Sequence, residues 1–113
     1  MKLPNYAEAV VPERKLLNYL LDEAHPTGKH KAVFFKRFGF DTEKWETLKT
    51  ALLQHAAAHE ISGMLPTDEG VHYVVDGDLE TPDGRNPQIR SVWAIDSGSE
   101  TPRFITAYPL DKG

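Results

Sequence analysis

The sequence contains no cysteine, no long apolar run and no excess of basic residues. Without cysteine, disulfides and thiolate metal sites are excluded, and a reducing compartment such as the cytoplasm suits the chain. No stretch approaches the roughly 18 consecutive apolar residues that a membrane span needs, and the first residues lack the apolar segment of a secretion signal. We therefore expect a cytoplasmic protein that is neither exported by a signal peptide nor embedded in a membrane.

The formal net charge is −4, which argues against non-specific binding to duplex nucleic acid because such binding depends on neutralising many phosphates. Charge is nevertheless segregated along the chain. Between Lys29 and Arg37 there are four basic residues and no acid, whereas Glu60 to Glu80 contains six acidic residues and no Lys or Arg. The first segment can meet an anion, and the second can repel an anion or meet a basic partner.

Length and composition indicate one globular domain over residues 1–113. The chain is 40% hydrophobic and 27% charged, which is typical of a folded rather than a disordered protein. Two domains of this total length would each bury only a thin interior. We therefore expect a helical half over about 1–60 and a strand half over about 61–110 that share one core.

The hydrophobic period changes from that of a helix to that of a strand near residue 60. The spacing predicts helices over 12–22 and 27–38, and a third that is capped by Asp41 and ends by Gly63. Alternation then predicts strands over 71–79, 88–95 and 103–108, with a weaker one around 61–65. We expect an α+β fold in which three N-terminal helices pack on one face of a three- to four-stranded antiparallel meander sheet.

The densest group of candidate functional residues lies at the start of the second predicted helix and comprises His25, Lys29, His30 and Lys31. A helix N-terminus carries partial positive charge and unpaired N–H groups, so cations there are unfavourable unless an anion such as phosphate binds nearby. On a helical wheel, Lys31 falls within the apolar arc. It must reach the edge of that arc, pair with a buried carboxylate or contact a ligand at a cleft.

The predicted sheet supplies further candidates on the face opposite the core. That face presents His72 and Arg90, and the last strand adds either Arg103 or the pair Thr106 and Tyr108. Each residue also has a structural interpretation. Thr and Tyr are favoured in strands, the arginines can pair with acidic residues across the sheet, and His72 fits a surface position.

His55 and His59 are four residues apart on the third predicted helix, so they share one face and can chelate one metal ion. The zincin pattern, however, places a glutamate directly after the first histidine, and this chain has Ala56 there. No third ligand is identifiable from the sequence. We therefore predict no metal site and no cofactor, and interpret the pair as a solvated or partly packed helix end.

Several motifs are spread over nearly the whole chain. The main ones are His25-Pro26-Thr27-Gly28-Lys29-His30-Lys31-Ala32, Thr81-Pro82-Asp83-Gly84-Arg85 and Pro102-Arg103-Phe104-Ile105-Thr106-Ala107-Tyr108-Pro109. Together they resemble a bacterial family of unknown function whose members are small and often cyanobacterial. Similar domains occur at the ends of larger toxin-like polypeptides, so the resemblance implies a link to polymorphic toxins. By fold analogy, helices followed by a four-stranded antiparallel sheet are similar to the barnase, EndoU, colicin and RelE ribonuclease toxins.

Two functional hypotheses follow. The first is a metal-independent endoribonuclease acting on RNA, in which a base removes the ribose 2′-OH proton and cations stabilise the charge that develops on the phosphate. Its candidate catalytic residues are His30, Lys31, Arg103, Thr106 and Tyr108, and its candidate substrate-binding residues are His25, Lys29, Arg90 and His72. The second is a non-catalytic interaction module, one member of a two-gene, toxin–antitoxin-like pair whose partner is a cognate antitoxin or another small protein. The oligomeric state is left open.

Overall fold

The computed structural model describes residues 1–110, in which three helices precede four strands. Helix α1 combines an α-helical turn, Glu13–Lys15, with a π-helical segment, Leu16–Leu20, and follows a 3-10 turn at Tyr6–Glu8. The remaining elements are α2 (Lys29–Arg37), α3 (Trp45–Ala58), β1 (Ile61–Thr67), β2 (Gly70–Asp78), β3 (Gln88–Asp96) and β4 (Arg103–Pro109). Within this part of the chain no helix is both long enough and apolar enough to cross a membrane.

The four strands form an antiparallel meander sheet in the order β1-β2-β3-β4, which confirms the predicted α+β fold. The core lies on one face of this sheet. Tyr73 pairs with Trp93 on the next strand, Trp93 pairs with Phe104, and all three side chains are buried. The helices cover this face with buried residues such as Phe35 and Leu52, so one core lies between the helices and the sheet.

The helix ends follow local chemistry. Gly39 adopts a φ of 105° directly after the end of α2, a left-handed conformation that ends helices and favours glycine, as predicted. The predicted start of α3 is wrong, because the Asp41 carboxylate accepts the backbone N–H of Lys44 at 2.9 Å and thereby closes a turn that precedes the helix. Lys44 occupies the N-cap position instead.

A β-bulge in β4 decides which side chains share the open face of the sheet. Thr106 pairs with Val92 and Phe104 pairs with Trp93, which leaves Ile105 as an additional residue. Such a bulge shifts the alternation of side chains by one position. Arg103, Thr106 and Tyr108 therefore all lie on the open face, whereas simple alternation predicted either Arg103 or the other two.

Candidate functional site

The hydroxyl group of Tyr19 lies at the centre of a polar cluster where α1, α2 and β4 meet. Lys31 Nζ donates one hydrogen bond to Tyr19 Oη and a second, at 3.2 Å, to Thr106 Oγ1. The two hydroxyl oxygens are themselves 3.0 Å apart and share a hydrogen bond. Lys31 Nζ also lies 4.9 Å from the centroid of the Tyr19 ring and 5.7 Å from that of Tyr108. We refer to Tyr19, Lys31 and Thr106 as the edge cluster.

The backbone around Tyr19 holds its ring in place. Tyr19 lies in the π-helical segment, where the N–H of Leu21 donates to the carbonyl of Leu16 at 2.8 Å, and such wide turns are frequent at functional sites. A Cβ added at Gly28 would lie 2.7 Å from the Tyr19 carbonyl oxygen and 2.8 Å from its ring carbon Cδ1. The position of the ring therefore depends on glycine at residue 28.

Lys31 changes the protonation chemistry of Tyr19. Burial disfavours the phenolate and acts to raise the pKa of Tyr19, but the hydrogen bonds from Lys31 and Thr106 and the charges of Lys31 and Lys15 outweigh burial, so the pKa is lowered. An ammonium group has three N–H donors and the edge cluster uses two of them, which leaves one for a ligand. The edge cluster can therefore exchange a proton and stabilise negative charge at one place.

His25 contacts Tyr19 and closes the turn that precedes α2. The two rings meet edge to face with centroids 5.1 Å apart, and His25 Nδ1 accepts the backbone N–H groups of Thr27 at 3.1 Å and Gly28 at 2.9 Å. A nitrogen that accepts two such bonds carries no proton, so we assign the ring proton to Nε2. The sequence suggested that backbone N–H groups at the start of the second helix could bind a phosphate. Two of these groups, those of Thr27 and Gly28, donate to His25 instead, and the Nε2–H of His25 remains available as a donor.

The remaining basic candidates of α2 point elsewhere. Lys29 and His30 are exposed, and their side chains make no hydrogen bond or ion pair with any residue between 1 and 110. Successive helical residues are separated by about 100° around the axis, so Lys31 reaches Tyr19 while its neighbour His30 does not. The structure therefore divides the predicted basic group between His25 and Lys31, which contact Tyr19, and two solvent-facing residues.

A second group of candidates lies beside the edge cluster on the open face. Asp76, Arg90 and Tyr108 stand directly opposite one another on β2, β3 and β4. Arg90 donates to both carboxylate oxygens of Asp76, from Nε at 2.8 Å and Nη2 at 2.9 Å, and this holds the pKa of Asp76 below its ordinary value. The hydrogen bonds to Asp76 and to Tyr108 raise the pKa of Arg90. The predicted pairing of Arg90 with an acid across the sheet is confirmed.

Arg103 and His72 share a different row of the open face. His72 is opposite Ala94 on β3, and Ala94 is opposite Arg103 on β4. Arg103 donates to both carboxylate oxygens of Asp96, from Nε at 2.8 Å and Nη2 at 3.1 Å, which lowers the pKa of Asp96. Arg103 and His72 therefore lie in a row of the sheet that is separate from the edge cluster.

A cavity of about 500 Å³ opens beside the edge cluster. It is lined by Arg14, Lys15, Asn18, Tyr19, His25, Ile105 and Thr106. Two further cavities, between α3 and the end of β2, are lined by the acidic residue Glu80 and, in one of them, also by Asp78, with no Lys or Arg. Of these three cavities, the one beside the edge cluster is therefore suited to an anion.

His55 and His59 use their ring nitrogens within the fold. His55 is only 2% exposed, so the expectation of a solvated or partly packed helix end is wrong for this residue. Its Nδ1 is 3.0 Å from Ser91 Oγ and its Nε2 is 3.1 Å from the carbonyl oxygen of Gly77, while His59 Nε2 is 2.9 Å from the carbonyl oxygen of Asp78. In the described chain no three His, Asp or Glu side chains are placed to hold a metal ion.

Tyr19 is the residue that sequence reasoning missed. It lies three residues after Leu16 and directly before Leu20, both of them fully buried, and at that spacing an aromatic residue is expected to be core. The signal that could have found it is Lys31. A lysine within an apolar arc needs a polar partner, and a tyrosine at the edge of the preceding helix can provide one.

Comparisons with known proteins agree with the architecture. Residues 2–111 match a family described as a domain of unknown function (DUF6883), and no curated protein matches the chain. Among solved structures, one similar chain belongs to a contact-dependent growth inhibition toxin–immunity protein complex from Klebsiella pneumoniae 342. The two chains are 18% identical with a TM-score of 0.71, over 90% of this chain and 100% of the other, a likeness that concerns the fold alone.

Proposed function

Because the chain belongs to the DUF6883 family, whose description assigns no activity, we propose a function from the edge cluster: a toxin-like, metal-independent endoribonuclease. The observation that carries the proposal is a tyrosine hydroxyl of lowered pKa, held by Lys31 and Thr106 beside a cavity lined with cations. The fold shared with a chain of a toxin–immunity protein complex supports the link to toxins.

In the proposed reaction Tyr19 is the proton-transfer group. Its phenolate accepts the proton of a ribose 2′-OH, the 2′-oxygen attacks the adjacent phosphorus, and the bond from phosphorus to the 5′-oxygen breaks. The departing 5′-oxygen takes a proton from a water molecule, and the hydroxide left by that water takes the proton back from Tyr19, which restores the phenolate. The products carry a 2′,3′-cyclic phosphate and a 5′-hydroxyl. Lys31 stabilises the phenolate first and then, through its remaining N–H, the additional negative charge on the phosphate.

The other candidates take supporting roles in this proposal. Thr106 positions the Tyr19 hydroxyl, and the Nε2–H of His25 donates to a phosphate oxygen. Tyr108 and Arg90 adjoin the edge cluster on the sheet and contact the neighbouring nucleotide. The remaining four predicted residues, which neither belong to the edge cluster nor adjoin it, are assigned to the flanking RNA: Lys29, His30, His72 and Arg103.

The proposal is tested by incubating the protein with single-stranded RNA in EDTA and comparing Lys31→Met with Lys44→Met. Both variants lose one positive charge, but Lys44 is exposed and precedes α3. We expect Lys31→Met to cleave about 10² to 10³ times more slowly, because it loses a donor aimed at developing charge, and Lys44→Met to cleave like the wild type. Intact RNA with the wild type at high concentration, or equal rates for both variants, contradicts the proposal.

A second candidate function, the interaction module, is favoured by strand β1. It is an edge strand on which Met64 and Leu65 are 53% and 62% exposed, within the acidic segment from Glu60 to Glu80. An exposed strand edge can accept a strand from another protein. We propose that a basic partner protein, the other member of a two-gene pair, binds here.

This second candidate is tested by co-expression with the product of the adjacent gene. Leu65→Lys is expected to abolish co-purification, because it places a positive charge on the strand that docks a basic partner, whereas Lys31→Met leaves co-purification intact. Equal recovery of the partner by Leu65→Lys and the wild type would overturn the assignment of β1 as the docking strand.

A further inference from the structure

The cavity beside the edge cluster is lined by two cations that no carboxylate of the described chain neutralises. Arg14 and Lys15 line the cavity and form no ion pair with any acidic residue between 1 and 110. Four other basic residues each pair with a carboxylate: Lys36, Arg85, Arg90 and Arg103. Two adjacent cations without a carboxylate partner, in a cavity without an acidic residue in its lining, create a positive potential that favours an anion there. A phosphate group is such an anion.

The same cavity also has surface that suits a nucleobase. Ile105, the additional residue of the β4 bulge, is half-buried there, next to the rings of Tyr19 and His25. Aromatic and apolar side chains of this kind stack against a base. Asn18 adds an amide group that can both donate to and accept from the edge of a base.

The size of the cavity limits the ligand. Its volume of about 500 Å³ falls within the range of about 300 to 1,000 Å³ that is usual for small-molecule sites. A base in a duplex is paired and stacked, so it reaches such a cavity only when it is turned out of the helix. Bases of single-stranded RNA are free to enter.

We infer that this cavity binds one unstacked nucleotide of single-stranded RNA, directly beside the phosphodiester at the edge cluster. Arg14 and Lys15 hold its phosphate, Ile105 and Tyr19 contact its base, and Asn18 reads the base edge. This inference rests on the proposed ribonuclease function and adds to it a substrate class. The preference for a single strand arises from the cavity and not from the cleavage step.

The inference is tested by binding alone, with a probe that cannot be cleaved. A fluorescent 2′-fluoro single-stranded RNA lacks the attacking hydroxyl, and its anisotropy reports affinity. We expect Arg14→Ala to weaken binding about tenfold, because it removes a charged hydrogen-bond donor to phosphate, and Arg37→Ala, an exposed arginine on α2, to bind within twofold of the wild type. Asn18→Ala is expected to reduce the discrimination between probes of different base, and a 2′-fluoro duplex to bind at least tenfold more weakly than the single strand.

These results separate the inference from the function on which it rests. A probe that binds through Arg14 and Asn18, with ordinary RNA left intact, supports the cavity as a nucleotide site and overturns the ribonuclease. Ordinary RNA that is cleaved, with Arg14→Ala and Asn18→Ala binding the probe like the wild type, overturns the inference and leaves the ribonuclease standing. A duplex probe that binds as tightly as the single strand also overturns the inference.

Discussion

A buried polar cluster and the edge cluster both join the helices to the sheet, but they use their hydrogen bonds differently. In the buried cluster Trp93 Nε1 donates to Ser91 Oγ at 2.8 Å, Ser91 bonds to His55 Nδ1, and His55 Nε2 donates to the Gly77 carbonyl. Among the described residues no buried side-chain nitrogen or oxygen lacks a partner. Lys31, in contrast, uses only two of its three N–H donors within residues 1–110, and both of its partners, Tyr19 and Thr106, line an open cavity. Both clusters are polar, but only the edge cluster has a hydrogen-bond donor that no residue of the described fold uses, and this distinguishes it as a candidate site.

The largest expected effect comes from breaking the buried cluster. His55→Ala is expected to lower the free energy of unfolding by about 2 to 4 kcal/mol, because it creates a cavity and removes two buried hydrogen bonds. Chemical denaturation measures this change, with the exposed His30→Ala as the control. The rate of RNA cleavage per folded molecule of His55→Ala should equal that of the wild type. A cost no larger than that of His30→Ala contradicts the structural role of His55.

The same cluster gives stability a dependence on pH. Burial lowers the pKa of His55 in the folded protein, with a further lowering from the charge of His59 against the opposing effects of Gly77 and Asp78. The unfolded chain, with an ordinary pKa of about 6.5, therefore binds the proton more strongly than the folded one. The free energy of unfolding should fall as pH drops below about 6.5, and His55→Ala should flatten this part of the curve. If the free energy of unfolding of His55→Ala falls between pH 7 and pH 5 as steeply as that of the wild type, His55 is not buried in its neutral form.

Most of the fold follows from patterns that are local in sequence. The change from helical to alternating spacing near residue 60 predicts both the helices and the meander, and Gly39 ends α2 where a left-handed residue is required. His55 was harder to interpret. An imidazole on an alanine-rich helix end fits solvent as well as core, and its burial depends on Ser91 and Gly77, which are 36 and 22 residues away.

The site is less visible in the sequence because it depends on an irregularity. Alternation placed Arg103 and Thr106 on opposite faces, and the single additional residue at Ile105 brings them to the same one. Lys31 was predicted to reach the edge of its apolar arc, to pair with a buried carboxylate or to contact a ligand, and it donates instead to the hydroxyls of Tyr19 and Thr106. Neither the bulge nor the π-helical segment around Tyr19 has a residue type that predicts it.

The next largest effect is expected from moving Tyr19 without changing it. Gly28→Ala introduces a Cβ that would lie 2.7 Å from the Tyr19 carbonyl oxygen and 2.8 Å from its ring carbon Cδ1, so the backbone or the ring of Tyr19 must shift. We expect a loss of about 1 to 3 kcal/mol in stability, as for overpacking elsewhere, together with slower cleavage of RNA. Gly63→Ala is the matched control, since a Cβ there meets no atom within 4 Å. Equal stability and activity of the two variants would show that residue 28 does not position Tyr19.

The smallest effect is expected on the open face of the sheet. A double-mutant cycle of Asp76→Ala and Arg90→Ala should give a coupling free energy of about 0.2 to 1 kcal/mol, because partly exposed ion pairs are screened by solvent. Denaturation at low and at high salt measures this coupling, which should fall as salt rises. A coupling free energy of about 2 to 4 kcal/mol, the loss expected for His55→Ala, would show that the open face contributes as much to stability as the buried cluster.

The most direct test of the account is the rate of RNA cleavage by Tyr19→Phe in EDTA, measured beside Tyr6→Phe. Each variant loses one phenolic hydroxyl, but Tyr6 lies in the 3-10 turn and is 40% exposed. We expect Tyr19→Phe to fold and to cleave at least about 10²-fold more slowly, while Tyr6→Phe produces 2′,3′-cyclic phosphate ends at the rate of the wild type. Equal rates for the two variants would show that the lysine-held hydroxyl of Tyr19 does not perform the chemistry.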